Sequence, residues 1–129
     1  MSDKIIKFLA HNGKISVICA DTTEMVEKAR QTHDMSPVVT AGFGRLLTIT
    51  AIMATEMKGI KDKLTVQLKG NGPIGLMIAT ANNKPIVKGY ATNPVVDIPL
   101  NEDGKLDVGR AVGNERYINV VKDLGLKDR

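Results

Sequence analysis

Leu64 to Gly75, LTVQLKGNGPIG, is the most informative segment of the chain. Apolar and polar residues alternate from Leu64 to Lys69, which is typical of a strand with one buried face. The Gly-Asn-Gly-Pro sequence at 70–73 predicts a tight turn, and a second alternating strand is expected over 74–80. The segment contains no nucleophile, metal ligand or acid–base pair. It therefore indicates a surface rather than a reaction centre.

The composition is that of one soluble domain with an aliphatic core. The chain has 129 residues, of which 43% are hydrophobic and 25% charged, which is ordinary for a globular protein. Aromatic residues make up only 3%, with no Trp, so Ile, Val, Leu and six Met must fill the core. The formal charge is +4, but the basic residues are scattered singly. We therefore expect no nucleic-acid partner.

The N-terminal segment predicts a hairpin and a surface helix. Strands are expected at 5–9 and 14–20, joined by an Asn12-Gly13 turn. Asp21 and Glu24 form a capping-box pattern at the start of a surface helix at about 22–32. Cys19, the single cysteine, lies in an apolar run and is expected to be a buried structural thiol. The first residues lack the long apolar stretch of a signal peptide, so a cytoplasmic location is expected.

A long buried helix is expected at about 36–57, because Ser36-Pro37 is a helix-start signal. Its apolar residues surround the whole circumference, which is typical of a helix buried between layers. A membrane span is the alternative, but the interspersed Thr residues and two charges disfavour it. Gly42 and Gly44 are interpreted as points of close approach to another backbone.

Further strands are predicted at 85–92, 105–112 and 115–121. The fold class is therefore α+β: a mostly antiparallel twisted sheet, or sheets, packed on the long buried helix (about 36–57), with one surface helix (about 22–32) outside. A short extended segment bounded by Asn93-Pro94 and Ile98-Pro99 is expected between the first and second of these strands. No internal repeat or low-complexity linker is present.

No residue pattern predicts catalysis strongly. The 70–72 segment lacks the Gly-Lys-Ser/Thr of a phosphate loop, and His11 is isolated at a turn. Arg45 is expected to be buried, where it would cap a strand edge or pair with Glu56 or another acid; a ligand-binding role is the alternative. A small enzyme with a cleft between sheet and helix remains an alternative, built from Arg45, Glu56 and His33. A structural dimer that pairs open strand edges is a second alternative.

Four segments resemble the N-terminal part of the thirty-three-kilodalton chaperonin family of bacterial heat-shock proteins. They are SPVVTAGFGRLLT at 36–48, LTVQLKGNGPIG at 64–75, KGYATNPVVDIPLNEDGKLDVGRAVG at 88–113 and KDLGLKD at 122–128. The resemblance implies an ATP-independent, redox-regulated holdase that binds unfolding proteins under oxidative and heat stress. Residues 1–129 are then expected to be part of the chaperone core domain.

The resemblance also implies a C-terminal zinc module with cysteines spaced C-x-C and C-x-x-C, which is absent from this sequence. Cys19 matches none of those positions, so we expect no metal, cofactor or catalytic residue in this chain. Apolar strand faces would bind clients, since aliphatic and Met-rich surfaces adapt to many partners. The expected client-binding residues share the strands of the second half of the chain: Ile74, Leu76, Ile78, Ile86 and Tyr90.

Overall fold

The computed structural model describes residues 3–84 and 86–124, and this part of the chain forms six strands and three helices. In chain order they are β1 (Lys4–Ala10), β2 (Ile15–Asp21), α1 (Thr23–His33), α2 (Pro37–Ala54), β3 (Lys63–Gly70), β4 (Leu76–Asn82), β5 (Val87–Ala91), α3 (Val108–Val112) and β6 (Arg116–Asp123). All strand pairs are antiparallel. The predicted α+β fold with one long helix is confirmed.

The larger sheet has four strands in the order β5-β4-β3-β6 and packs on α2. Leu64 and Val66 of β3 lie opposite Ala81 and Ala79 of β4, and all four side chains are buried. Because paired residues share a face, this register places one row of side chains against α2. The other row forms the outer face of the sheet, on the side away from α2.

β4 begins at Leu76, two residues later than the sequence predicts. Gly75 has a φ of 78°, so the chain turns between Ile74 and Leu76 and the expected alternation is interrupted there. Met77 and Ala79 consequently face α2 and are fully buried. The core face of β4 is therefore opposite to the one that an alternation starting at Ile74 suggests.

β1 and β2 form a separate two-stranded sheet. Its turn contains His11, Asn12 and Gly13, with φ values of 57°, 58° and 80°. Asn and Gly tolerate this left-handed region better than most residues, so the local sequence specifies the turn. The predicted hairpin is confirmed.

The start of α1 differs from the predicted capping box. Asp21 lies one position before the N-cap, and its Oδ1 accepts hydrogen bonds from the backbone N–H and hydroxyl of Thr23, at 3.1 and 2.7 Å. The carboxylate of Asp3 accepts from the backbone N–H groups of Glu24 and Met25, both at 2.8 Å. A residue beside the start of β1 therefore satisfies two amides that a helix leaves unpaired, and this links the hairpin to α1.

α2 is the core helix, and it is somewhat shorter than predicted. Its mean hydropathy of 1.5 over 18 residues is high enough for a membrane span, but 56% of that window is buried inside the fold. Phe43 and Leu47 are among its fully buried side chains. Ser36 is the N-cap residue, as predicted, but its side chain makes no capping hydrogen bond; its hydroxyl donates to the carbonyl oxygen of Val96 and accepts from the N–H of Val96, both at 2.9 Å.

Gly42 and Gly44 approach side chains rather than another backbone, which corrects the sequence-based interpretation. A Cβ at Gly44 would lie 2.8 Å from Cγ1 of Val26 in α1, and one at Gly42 would lie 3.4 Å from Cγ1 of Val108 in α3. The absence of a side chain at Gly44 therefore allows α1 to pack directly on α2.

The region around residue 110 contains a helix where a strand over 105–112 was expected. Oδ1 of Asp107 accepts a hydrogen bond of 3.2 Å from the backbone N–H of Arg110 and caps α3. This local cap outweighs the strand propensity of the flanking Leu and Val residues. The last predicted strand, over 115–121, is confirmed as β6.

The Gly-Asn-Gly turn after β3 holds the end of α3 by close backbone contact. A Cβ at Gly70 would lie 1.9 Å from the carbonyl oxygen of Val112, and one at Gly72 would lie 2.4 Å from that of Ala111. The N–H of Gly72 donates to the oxygen of Val112 at 2.9 Å. The glycines of this motif therefore have a packing role.

Candidate interaction surfaces

The outer face of the four-stranded sheet brings together three of the residues predicted to bind clients. Ile78 lies directly opposite Tyr90, and Leu76 is on the same face of β4 two residues away. The side chain of Tyr90 is 48% exposed, whereas Leu76 and Ile78 are half-buried. Ile86, which precedes β5, is 62% exposed. These four residues form one accessible region.

Ile74 does not belong to this region. Its side chain is completely buried, and its backbone N–H donates to the carbonyl oxygen of Ala111 at 3.1 Å. Because Ile74 lies before the bend at Gly75, it points into the core between α2 and the sheet. The expectation that Ile74 contacts clients is therefore wrong for this fold.

A second apolar surface, which the sequence analysis did not single out, lies on β1 and β2. We call it the hairpin face. Ile6 lies opposite Cys19, and Phe8 opposite Val17. Ile6, Phe8 and Ile15 are 50, 48 and 49% exposed. On the other face of the hairpin, Nζ of Lys7 donates to the carbonyl oxygen of Thr55 at the end of α2 at 3.2 Å, whereas Leu9 is 70% exposed. The hairpin face comprises Ile6, Phe8, Ile15, Val17 and Cys19.

The exposure of Cys19 corrects the prediction of a buried thiol. Residues 15–20 are apolar on both faces of β2, so the local pattern does not distinguish the covered face from the open one. That same two-sided apolar character is the signal that could have identified the hairpin face.

A third exposed apolar strip lies on β6, whose residues are all exposed. Ile118 and Val120 are opposite Leu68 and Val66, on the side of the sheet that α2 covers. They are nevertheless 62 and 40% exposed, because α2 packs over β3, β4 and β5 instead. β6 is thus an edge strand with an uncovered apolar row.

A groove of about 270 Å³ separates α1 from β5. The buried side chains of Phe43 and Leu47 from α2 form its floor. One stripe of α1, spaced as the residues of a single helical face, forms a wall. That stripe consists of Met25, Lys28, Ala29, Thr32 and His33.

The polar residues considered for an enzyme site do not converge. Arg45 is exposed, not buried as predicted, and lies beside a different cavity from the groove that contains His33. Glu56 lies 3.9 Å from Nζ of Lys7. The ring of His33 makes an edge-on contact with Phe43, with centroids 6.3 Å apart.

Asp21, Glu27 and Arg30, which lie in α1 or just before it, have shifted pKa values. The hydroxyl and N–H of Thr23 donate to Asp21 and lower the pKa of its carboxyl group. A hydrogen bond from Arg30 lowers the pKa of Glu27, and the same contact raises the pKa of Arg30. These pairs stabilise the helix locally and do not line the groove.

Within residues 3–84 and 86–124, no group of three or more His, Cys, Asp or Glu residues is arranged to hold a metal ion.

The chain matches a known protein family and is similar in sequence to several of its members. The family described as Hsp33 protein matches residues 3–129. The 33 kDa chaperonins of Thermoanaerobacter sp. (strain X514) and Clostridioides difficile (strain 630) are 49 and 46% identical over 128 residues, which are 99% of this chain and 44% of each relative. The chain thus spans less than half of the length of these relatives.

A solved structure is also similar. The crystal structure of the 33 kDa chaperonin from Thermotoga maritima superimposes with a TM-score of 0.87 and 36% identity. The match covers 95% of this chain and 42% of that one.

Proposed function

Because the chain belongs to the Hsp33 protein family, we propose that it binds unfolding proteins as an ATP-independent holdase chaperone in the cytoplasm. The observation that supports this most directly is the hairpin face, where three large apolar side chains are each about half exposed. A holdase needs apolar area that an unfolded client can cover, worth roughly 25 cal/mol per Å². No bond-making step is required of the protein.

We propose that clients contact both the hairpin face and the outer face of the four-stranded sheet. The two surfaces differ in character. The five residues of the hairpin face are apolar, with the polar pair Lys4 and Asp21 at one end of the same face, whereas Leu76 and Ile78 lie directly opposite the polar residues Lys69 and Gln67 of β3. We therefore expect the hairpin face to contribute more binding free energy for each residue contacted.

Suppression of aggregation tests this function. The chain is added to malate dehydrogenase at a temperature that unfolds the enzyme, and aggregation is followed by light scattering. We expect suppression by the wild-type chain, weakened by the double substitution Ile6→Ser and Phe8→Ser. A matched pair, Ile78→Ser and Tyr90→Ser, measures the outer face. Absence of any suppression by the folded wild-type chain would contradict the proposal.

We further propose that this chain acts equally well under oxidising and reducing conditions, and that redox control through zinc requires residues outside the 129 present here. The sequence has one cysteine and thus no C-x-C or C-x-x-C pair. Cys19 is exposed on the hairpin face, so intermolecular disulfides could alter the result. The assay is therefore repeated with Cys19→Ser, and redox dependence in that variant would refute this proposal.

A homodimer is a further proposal, supported by the exposed edge strand β6. Its exposed apolar residues, and its position as the last strand of the sheet in the described part of the chain, are suited to pairing with a second copy. Sedimentation velocity at several concentrations would detect the dimer. A monomer at all concentrations would exclude it.

A further inference from the structure

We infer that the groove between α1 and β5 receives an extended segment of unfolded polypeptide, which pairs with β5 as an additional strand. This inference rests on the proposed function and specifies how part of a client is held. Strand addition to a sheet edge is a general mode of peptide recognition, in which backbone hydrogen bonds supply affinity and alternate side chains occupy pockets.

The backbone of β5 has an open edge on the groove side. Asn82 N–H donates to Ile86 O at 3.3 Å, and Thr92 N–H donates to Leu76 O at 2.8 Å. Hydrogen-bonded positions alternate in an antiparallel ladder. The backbone N–H and C=O groups of the even-numbered residues of β5 therefore point towards β4. The N–H and C=O groups of the intervening residues point the other way. These residues are Val87, Gly89 and Ala91.

These outward groups have no partner within the part of the chain that the structure describes. β5 is the last strand of its sheet there, and no turn, loop or side-chain hydrogen bond reaches the three residues. Val87 and Gly89 also line the groove. An extended peptide lying in the groove would therefore meet unpaired donors and acceptors at strand spacing.

The interior of the groove suits alternate apolar side chains. Phe43 and Leu47 provide a buried apolar floor, and Met25 and Ala29 provide apolar wall area on α1. A volume of about 270 Å³ is just below the usual range of roughly 300–1,000 Å³ for small-molecule sites. A few side chains of a peptide fit this volume better than an enclosed metabolite does.

The charged residues that line the groove indicate which kind of peptide would bind there. Every titratable residue that lines the groove is basic, namely Lys28, His33 and Lys88. Glu27, also on α1, lies off this stripe and is bonded to Arg30. An occupant with apolar residues at alternate positions and a carboxylate between them therefore complements the groove.

The edge of β6 serves as an internal comparison. β6 is also the last strand of its sheet in the described part of the chain, and its eight residues are exposed, but it does not line the groove. Strand addition at β6 would gain backbone hydrogen bonds without side-chain pockets. Preference for β5 over β6 is thus a specific consequence of the groove.

Amide hydrogen exchange on the labelled 129-residue chain tests the inference. The probe is a peptide of about eight residues, a usual strand length, with Leu at alternate positions and Asp and Thr between them. We expect the peptide to slow exchange at the amides of Val87, Gly89 and Ala91. Protection confined to β6, protection of neither edge, or no binding at all would overturn the inference.

Substitutions then test the charge argument. Lys28→Glu should weaken peptide binding by about fivefold, the effect of one exposed ion pair, whereas Lys105→Glu makes the same charge change in a distant turn and should have no effect. Gly89 is left unchanged because a Cβ there would lie 2.0 Å from the carbonyl oxygen of Ile78. Replacing the Asp residues of the peptide by Lys should weaken binding to the wild-type chain. This comparison requires no protein variant. Equal affinity for the Asp and Lys peptides would refute the charge argument.

The two proposals fail in different ways. If the chain suppresses aggregation but the peptide leaves β5 unprotected, the holdase function stands and the β5 groove is wrong. If β5 is protected but aggregation is not suppressed, the groove binds peptides and the holdase function is wrong.

Discussion

The four-stranded sheet and the β1–β2 hairpin have comparably apolar strands but different surroundings. In β3, Leu64 and Val66 are completely buried under α2. In the hairpin, Ile6 and Phe8, which share one face of β1, remain about half exposed. Similar residues therefore form a core in one sheet and an interaction surface in the other.

In this protein, apolar residues that α2 covers belong to the core, and equally apolar residues that it leaves exposed are available for interaction. α2 lies over β3, β4 and β5, and it contacts the hairpin mainly along β2, with a hydrogen bond from Lys7 of β1 to the carbonyl oxygen of Thr55 at its C-terminal end. Apolar side chains outside its reach remain available for binding. Stability should accordingly be concentrated in the sheet that α2 covers, and client binding in the regions that it leaves open.

The largest difference is expected between Leu64→Ala and Ile6→Ala. Removing the buried Leu64 side chain should lower the free energy of unfolding by about 2–5 kcal/mol, because the core cannot fully collapse around the cavity. The same truncation at Ile6 removes a half-exposed side chain and should cost less than about 1 kcal/mol. Urea denaturation measures both values. Equal losses of unfolding free energy would contradict the proposed difference between the two sheets.

Gly70→Ala should also destabilise the four-stranded sheet strongly. A Cβ at Gly70 would lie 1.9 Å from the carbonyl oxygen of Val112 and would separate the turn from α3. We expect a loss of about 3 kcal/mol, the upper end for overpacking. Gly109→Ala is the matched control, since a Cβ there meets no atom within 4 Å. If both variants unfold at the same urea concentration, the contact with Val112 is not required.

Gly44→Leu tests how α1 is attached to the core. The new side chain would collide with Val26, so a loss of about 1–3 kcal/mol is expected. The double variant with Val26→Ala should recover part of this loss, because it removes the colliding methyl groups. Thermal unfolding monitored by circular dichroism provides the measurement. A melting temperature of Gly44→Leu equal to that of the wild type would refute the close contact.

The smallest expected effect is on the pH dependence of the unfolding free energy, and it comes from Asp21 at the end of β2. Hydrogen bonds from Thr23 lower the pKa of Asp21 in the folded protein. A lowered folded pKa stabilises the protein above the unfolded pKa, near 4, and this stabilisation is lost as pH falls through the folded value. The unfolding free energy of Asp21→Asn should therefore depend less on pH in this acidic range.

Thr23→Ala is the companion variant, because it removes the hydroxyl that donates to Asp21. It should reduce the acidic pH dependence in the same direction as Asp21→Asn. Glu27, whose pKa Arg30 also lowers, should maintain a residual dependence in both variants. An unchanged pH profile in both would show that the Asp21–Thr23 bonds do not contribute to stability.

Local signals predicted most elements of the fold. The Asn12-Gly13 turn specified the hairpin, Pro37 marked the start of α2, and alternation identified β3. Each of these signals depends on residues close together in the sequence. It can therefore be recognised without knowing which elements pack against it. The α3 helix was mistaken for a strand because the Asp107 cap competes with flanking residues of high strand propensity.

The candidate surfaces were harder to predict, since exposure depends on distant elements. Leu76, Ile78, Ile86 and Tyr90 are accessible, as a client-binding residue must be, although their role in binding remains a prediction. The burial of Ile74 follows from the bend at Gly75, which the alternation concealed. The exposure of Cys19 and Arg45 depends on the position of α2.

Sequence alone specified the Asn12-Gly13 turn, the start of α2, the alternation of β3 and the family, because these are encoded by short stretches of residues. Only the tertiary structure decided which apolar face is covered, where the β5 edge is open and what the glycines contact. The physical reason is that burial is a property of pairs of elements. A strand apolar on both faces can bury either one, and the placement of α2 against the sheet decides between them.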